Sequence, residues 1–142
     1  MIITCGIYLY STICKKILIC HATHASWKTW SVPKGLKELG EDSYAAAVRE
    51  LKEETDVDIH ALHVIAVHVL PAIKYQKQNK TIESFLVISD SDMEGFKFKC
   101  HSLINNSFPE IDAWKWLSLE SLTNVLHESQ QKNISLIQNL IA

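Results

Sequence analysis

One stretch, residues 35 to 57, constrains this chain most, because it dictates a helix with two faces of opposite character. At about 100° per residue, Tyr44, Ala47, Val48, Leu51 and Thr55 fall into one mostly apolar stripe. Glu50, Glu53 and Glu54 fall into a neighbouring stripe, spaced i, i+3, i+4, so their carboxylates project together. Such a helix buries one side against a core and offers the other to a ligand. Asp42 or Ser43 supplies a side-chain oxygen to cap its start, and Glu41 with Asp42 suits the positive end of the helix dipole.

Three clustered carboxylates repel one another, and the helix gains nothing from them alone. Hard divalent cations such as Mg²⁺ take carboxylate oxygens gathered in this way and remove the repulsion. Arg49, directly before the first of these acids, is the only arginine among 14 basic residues. Its planar, multi-donor cation can orient carboxylates where lysine cannot. A soluble surface helix laced with Glu–Lys pairs would show the same charge density, so the helix alone leaves both readings open.

The residues upstream decide between them. Trp30-Ser31-Val32-Pro33-Lys34-Gly35 leads into a loop and then the helix, and the whole resembles the Nudix box. That pattern is a Gly, five residues, a Glu, seven residues, Arg-Glu, an aliphatic, any residue, Glu-Glu, any residue, Gly and an aliphatic. Gly35, Glu41, Arg49, Glu50, Leu51, Glu53, Glu54 and Val57 match in register, and Asp56 stands where the family has glycine. That glycine usually closes the last helical turn in the left-handed conformation, which Asp tolerates better than most residues. The chain is thus similar to small MutT-like Nudix hydrolases.

The resemblance implies an α/β fold, the Nudix-type α/β/α sandwich with a central mixed sheet, with residues 1–142 forming one domain. It implies Glu50, Glu53 and Glu54 as ligands of Mg²⁺ (or Mn²⁺), with the Gly35 backbone carbonyl as a further ligand. Arg49 would orient these carboxylates, Glu41 would support the network, and Glu50 is a candidate for polarising the attacking water. A second segment, Phe108-Pro109-Glu110-Ile111-Asp112-Ala113-Trp114, resembles one that follows the box in many bacterial members. There Glu110 would add a metal ligand or a base.

Composition agrees. A chain of 142 residues, 47% hydrophobic and 21% charged, can bury a core and is not disordered. A net charge of −2 gives no general attraction to nucleic acid or membrane, so an anionic ligand must be recruited by metal and local lysines. Cys5, Cys14, Cys20 and Cys100 have no metal spacing, which suits free thiols in a cytoplasmic protein. The apolar start, Met1 to Cys20, lacks a basic leader and is interrupted by Lys15-Lys16, so export is not expected. Strands are expected at Ile2–Tyr10, Lys16–His21, within Val57–Leu70, at Thr81–Ser89, Phe96–Cys100 and Ala113–Leu117. Pro71–Lys80 reads as a polar loop and Leu119–Leu140 as one or two closing helices.

The expected substrate is a nucleotide or nucleotide conjugate. Trp27, Trp30 and Tyr75 each offer a face on which a base could stack, although Trp30 better suits packing beneath the Pro33 turn. Lys74, Lys77 and Lys80 give the 71–80 loop a positive edge that could hold a second phosphate or ribose, and Lys34 is a further substrate-binding candidate. Trp-Ser-Val-Pro-Lys-Gly resembles the corresponding segment of dinucleoside-polyphosphate and ADP-sugar hydrolases. That favours those substrates over nucleoside triphosphates, and the absence of a basic stripe speaks against long RNA, though not against RNA 5′ ends. The other class that fits is a Nudix-fold domain that binds a nucleotide without hydrolysing it; the presence of Glu50, Glu53 and Glu54 favours the enzyme.

Overall fold

The apolar stretch near the start of the sequence forms the central strand of a sheet. A computed structural model describes residues 1–142, the side chain of Ser129 excepted. Strand β1 (Ile2–Ser11) is buried on both faces through most of its length and turns into β2 (Lys16–Ala22). Short β3 (Lys34–Leu36), helix α1 (Ser43–Thr55), β4 (Val64–Val69), β5 (Ile73–Tyr75) and β6 (Lys80–Ser89) follow. Then come β7 (Leu103–Ile104), β8 (Phe108–Pro109), β9 (Ile111–Leu117), α2 (Leu119–Leu122), α3 (Glu128–Gln131) and α4 (Ile134–Ile141).

The main sheet runs β4-β6-β1-β2-β9, with β3 on β1 and β5 on β6. β1 and β6 are parallel over their whole length, from Ile2 opposite Lys80 to Ser11 opposite Ser89, and the other pairs are antiparallel. The sheet is therefore mixed, as expected. Alternation along β1 and β6 divides the core. Cys5, Ile7, Leu9, Phe85 and Val87 face α1 and pack on Ala46, Ala47 and Leu51. Tyr8, Leu86 and Ile88 face the opposite layer, with Leu119, Leu122, Ile134 and Ile137 of the C-terminal helices. The architecture is an α/β/α sandwich.

Several expected elements differ. Residues 96–100 alternate like a strand but form none. Their neighbourhood instead donates to the end of α1, Lys99 N–H to the Thr55 carbonyl at 3.2 Å and His101 N–H to the Glu53 carbonyl at 2.6 Å. Those carbonyls lack partners within a helix, so they compete successfully for donors a sheet would have used. The stretch 71–80 is not wholly loop, because Ile73–Tyr75 pairs with Lys80–Ile82 as a short hairpin closed by left-handed Asn79. The C-terminal region makes three short helices instead of one or two. All four cysteines are free. Among the described residues no helix is long and apolar enough to cross a membrane.

Candidate metal centre

The centre begins with a fork in the sheet. β2 leaves β1 just beyond the hairpin, where the pairs are Tyr10 with Ile17 and Ser11 with Lys16. Into the opening runs the segment 31–36. Ser31 exchanges two backbone hydrogen bonds with Cys20 of β2, at 2.7 and 2.9 Å. Ile7 N–H then donates to the Pro33 carbonyl at 3.1 Å, and β3 pairs Lys34 with Gly6 and Gly35 with Cys5. The buried Gln130 side chain pins this wedge, accepting from Val32 N–H and donating to Ser31 Oγ, both at 2.9 Å. Gln130 stands in the polar run from His127 to Asn133, so nothing in the sequence marks it for this role.

The wedge lays Gly35 against α1. A Cβ at this position would land on the carboxyl carbon and both oxygens of Glu50. Glycine is thus required by close approach, while its φ is not positive. α1 is set by its caps. Asp42 Oδ1 accepts from Ala45 N–H at 2.7 Å, and Asp56 closes the last turn in the left-handed region at φ 70. Asp56 Oδ1 also pairs with His101 Nε2 at 2.7 Å, which holds its carboxyl below the ordinary range.

Arg49 gathers the acids. Its Nε and Nη2 donate to the two oxygens of Glu41 at 3.1 and 2.7 Å. Its Nη1 reaches Glu50 at 2.9 Å and Glu53 at 3.1 Å, and Nη2 also donates to the Leu36 carbonyl at 2.8 Å. Arg49 draws the Glu41 carboxyl down to about 2, helped by the Glu38 backbone N–H. The acidic stripe is not simply offered to solvent, since Glu50 is 8% and Glu54 4% exposed. Burial pushes Glu54 up to about 8, against the pull of the Lys34 backbone N–H that donates to it at 3.0 Å. Burial raises Glu50 as well, despite Arg49.

A cleft of about 340 Å³ opens beside these acids, lined by Gly35, Glu50, Glu53, Glu110, Lys34 and Lys80 among others. The structure therefore brings the box and Glu110 together. Glu110 is fixed through its backbone, which donates to the Ser102 carbonyl at 2.8 Å and accepts from Thr23 N–H at 2.9 Å. Among the described residues no three acids, imidazoles or thiols converge closely enough to hold an ion as they lie. Arg49 holds Glu50 and Glu53 to itself instead. The donor set nonetheless suits a hard divalent cation: oxygens only, including a buried carboxyl raised by lack of solvation, the condition a bound cation relieves.

Other expected residues stand apart. Lys74, Tyr75 and Lys77 line a separate hollow of about 400 Å³ with Lys132, which shares no lining residue with the cleft. Trp27 is exposed and stacks flat on buried His21, ring centroids 3.7 Å apart. His21 in turn bonds Asp112 at 2.6 Å, tying the 22–30 loop to β9. Lys80, expected to share a positive loop edge with Lys74 and Lys77, instead lines the acid cleft without them. It is the first residue of β6, opposite both Ile2 and Tyr75.

Comparison with known proteins agrees with this geometry. The family model of the NUDIX domain matches residues 4–140. Nudix hydrolase 5 of Arabidopsis thaliana is 31% identical over 113 residues, covering 78% of this chain and 34% of the plant protein. An RNA pyrophosphohydrolase of Dinoroseobacter shibae is 32% identical over 109 residues, covering 66% of this chain and 62% of its own length. The chain thus spans about a third of that plant relative and under two thirds of that bacterial one. Among solved structures, a C. elegans Ap4A hydrolase binary complex superposes with a TM-score of 0.74 at 20% identity, covering 99% of this chain and 98% of that one. With Gly35, Arg49 and the box glutamates standing in register on one loop and helix of this sandwich, the chain belongs to the NUDIX domain family.

Proposed function

We propose that this chain is a divalent-metal-dependent pyrophosphohydrolase, cleaving a phosphoanhydride bond in a nucleoside-diphosphate-linked substrate. The observation that carries the reading is the Arg49 network. One guanidinium holds Glu41, Glu50 and Glu53 beside buried Glu54 at the mouth of a cleft. A purely structural helix has no use for a carboxyl buried at such cost.

Glu50, Glu53 and Glu54, with the Gly35 carbonyl, are the residues that would hold Mg²⁺ or Mn²⁺. When bound, the metal neutralises phosphate oxygens and lowers the pKa of water. The chain's own contribution is positioning: Arg49 fixes the carboxylates, and Gly35 leaves room for Glu50. Glu50 or Glu110, both facing the cleft, is placed to take a proton from the attacking water. The substrates favoured are dinucleoside polyphosphates and ADP-ribose-like compounds, supported by the Trp30–Gly35 segment and the fold match to an Ap4A hydrolase.

The test is chromatographic separation of the products released from ADP-ribose, dinucleoside polyphosphates, nucleoside triphosphates and 5′-triphosphorylated RNA, with Mg²⁺, Mn²⁺ or EDTA. RNA joins the panel because of the similarity to an RNA pyrophosphohydrolase. Metal-dependent release from at least one substrate is expected. Release that is equal in EDTA, or absent throughout while nucleotides still bind, would overturn the reading, the second in favour of a non-catalytic nucleotide-binding domain.

A further inference from the structure

Two lysines form the seam between the acid-lined cleft and a second hollow, and neither ammonium group is held in a direct ion pair. Lys34 and Lys80 both line the cleft. Both also line an adjoining hollow of about 190 Å³, walled by Trp30, Ala22, Ala25 and Thr29. Among the described residues neither ammonium group makes a direct ion pair, although the charge of Lys34 acts on nearby Glu54. Partial burial lowers the affinity of Lys80 for its proton, and repulsion by neighbouring Lys34 adds to the effect. Their backbones are anchored on the central strand, Lys34 opposite Gly6 and Lys80 opposite Ile2.

Unpaired neighbouring cations at a junction of two hollows suit one kind of occupant, an anion lying across the seam. The acids of the cleft repel such an anion unless metal is bound, whereas the lysine side attracts it without metal. The adjoining hollow has the complementary character, since its walls include an indole and two alanine methyls, which suit an uncharged ring.

We propose that Lys34 and Lys80 are specificity-determining residues that clamp a phosphate beyond the pyrophosphate unit at the acids. They would thereby favour nucleosides carrying long phosphate chains over those carrying two phosphates. This rests on the hydrolase reading for the cleft but concerns binding, which needs no turnover. A diphosphate-linked compound spans the acids alone. A longer chain reaches the seam and gains contacts to both ammonium groups, while its nucleoside enters the Trp30 hollow.

The experiment is calorimetric binding of adenosine 5′-tetraphosphate and of ADP in Ca²⁺, to wild type, Lys34→Met, Lys80→Met and Lys80→Arg. Methionine keeps the apolar stem and removes the charge, and thermal melts report whether each variant folds. Wild type should prefer the tetraphosphate. Each methionine variant should lose about tenfold or more of tetraphosphate affinity, the scale of one charge-assisted contact, with ADP affinity changing by less than about threefold. Lys80→Arg should retain the preference. Raised salt should narrow the gap in wild type more than in the variants.

The proposal is overturned if wild type shows no chain-length preference or no tetraphosphate binding. It is equally overturned if the variants weaken both nucleotides by the same factor, which is the signature of general charge loss. A protein silent in the hydrolysis panel that still shows the chain-length effect would retain the clamp and lose the hydrolase reading. Hydrolysis with unchanged preference would do the reverse.

Discussion

Gly35→Ala is the sharpest perturbation this structure offers, because the added atom has a single target. The backbone of Gly35 needs no positive φ, so alanine brings no conformational strain. Its Cβ would occupy the position of the Glu50 carboxyl group, and that side chain must swing away. Swinging breaks the 2.9 Å contact to Arg49 Nη1. Glu50 is nearly buried and Arg49 mostly so, so losing this charge-assisted hydrogen bond costs about 1.5–3 kcal/mol. Alanine also restricts the unfolded chain, which returns about 0.4–1 kcal/mol. The net loss is about 1–2 kcal/mol, or roughly 3–8 °C in Tm for a domain of this size. Metal-dependent kcat should fall by about two orders of magnitude or more, since a group facing the reacting phosphate is displaced.

The assay that isolates the cause is a double-mutant cycle with Glu50→Ala. Once the carboxylate is absent, Gly35→Ala has nothing to strike and should be neutral or stabilise by about 0.4–1 kcal/mol. An equal loss of stability in both backgrounds would refute the reasoning, because the alanine methyl would then be clashing with something other than Glu50.

Three further outcomes are expected. Glu54 has its folded pKa raised to about 8, above the usual 4.5, so the folded state holds its proton more tightly than the unfolded one. The stability this contributes is fully present below about pH 4.5 and lost as pH rises through 8. The Tm increment from Mg²⁺ should therefore grow between pH 6 and 8.5, with proton release on binding visible by calorimetry in buffers of different ionisation enthalpy; a pH-independent increment would count against Glu54 as a ligand. Glu53→Gln should keep the fold while lowering kcat by orders of magnitude and weakening stabilisation by metal, read by melts with and without Mg²⁺. Asp56→Gly should leave turnover per folded molecule unchanged, whereas Asp56→Val should lower Tm through its positive φ; loss of metal binding in the glycine variant would make Asp56 a ligand instead of a cap.

The box was legible because its parts share one helix, where spacing fixes which side chains stand together. The same logic could not show that Glu50 and Glu54 are buried, since burial depends on β3, and Lys-Gly-Leu carries no strand period. Residues 96–100 misled for the opposite reason. Phe96, Phe98 and Cys100 alternate well, but the amides around them are claimed by the carbonyl end of α1, a competition invisible to periodicity. Tyr75 was grouped with Lys74 and Lys77 by sequence proximity, while the register places it opposite Lys80. Tyr75 nevertheless lines the same hollow as Lys74 and Lys77, and it is Lys80 across the hairpin that lines the cleft.

The fork in β1 bears on where this molecule can loosen. The segment carrying Gly35 hydrogen-bonds directly to the central strand, and an amide so placed exchanges with solvent only when the sheet itself separates. Lys37 N–H, bonded to the Ile3 carbonyl at 2.9 Å, closes the same graft from the far side. Opening the acid cluster is thus tied to lifting β3 from the central strand, and the β3 amides should exchange more slowly than those of the outer loops. Plasticity is left to the outer walls, residues 22–29 and 74–79, whose bonds are largely local. A wall can be remodelled for a different ligand while the acids behind it keep their geometry.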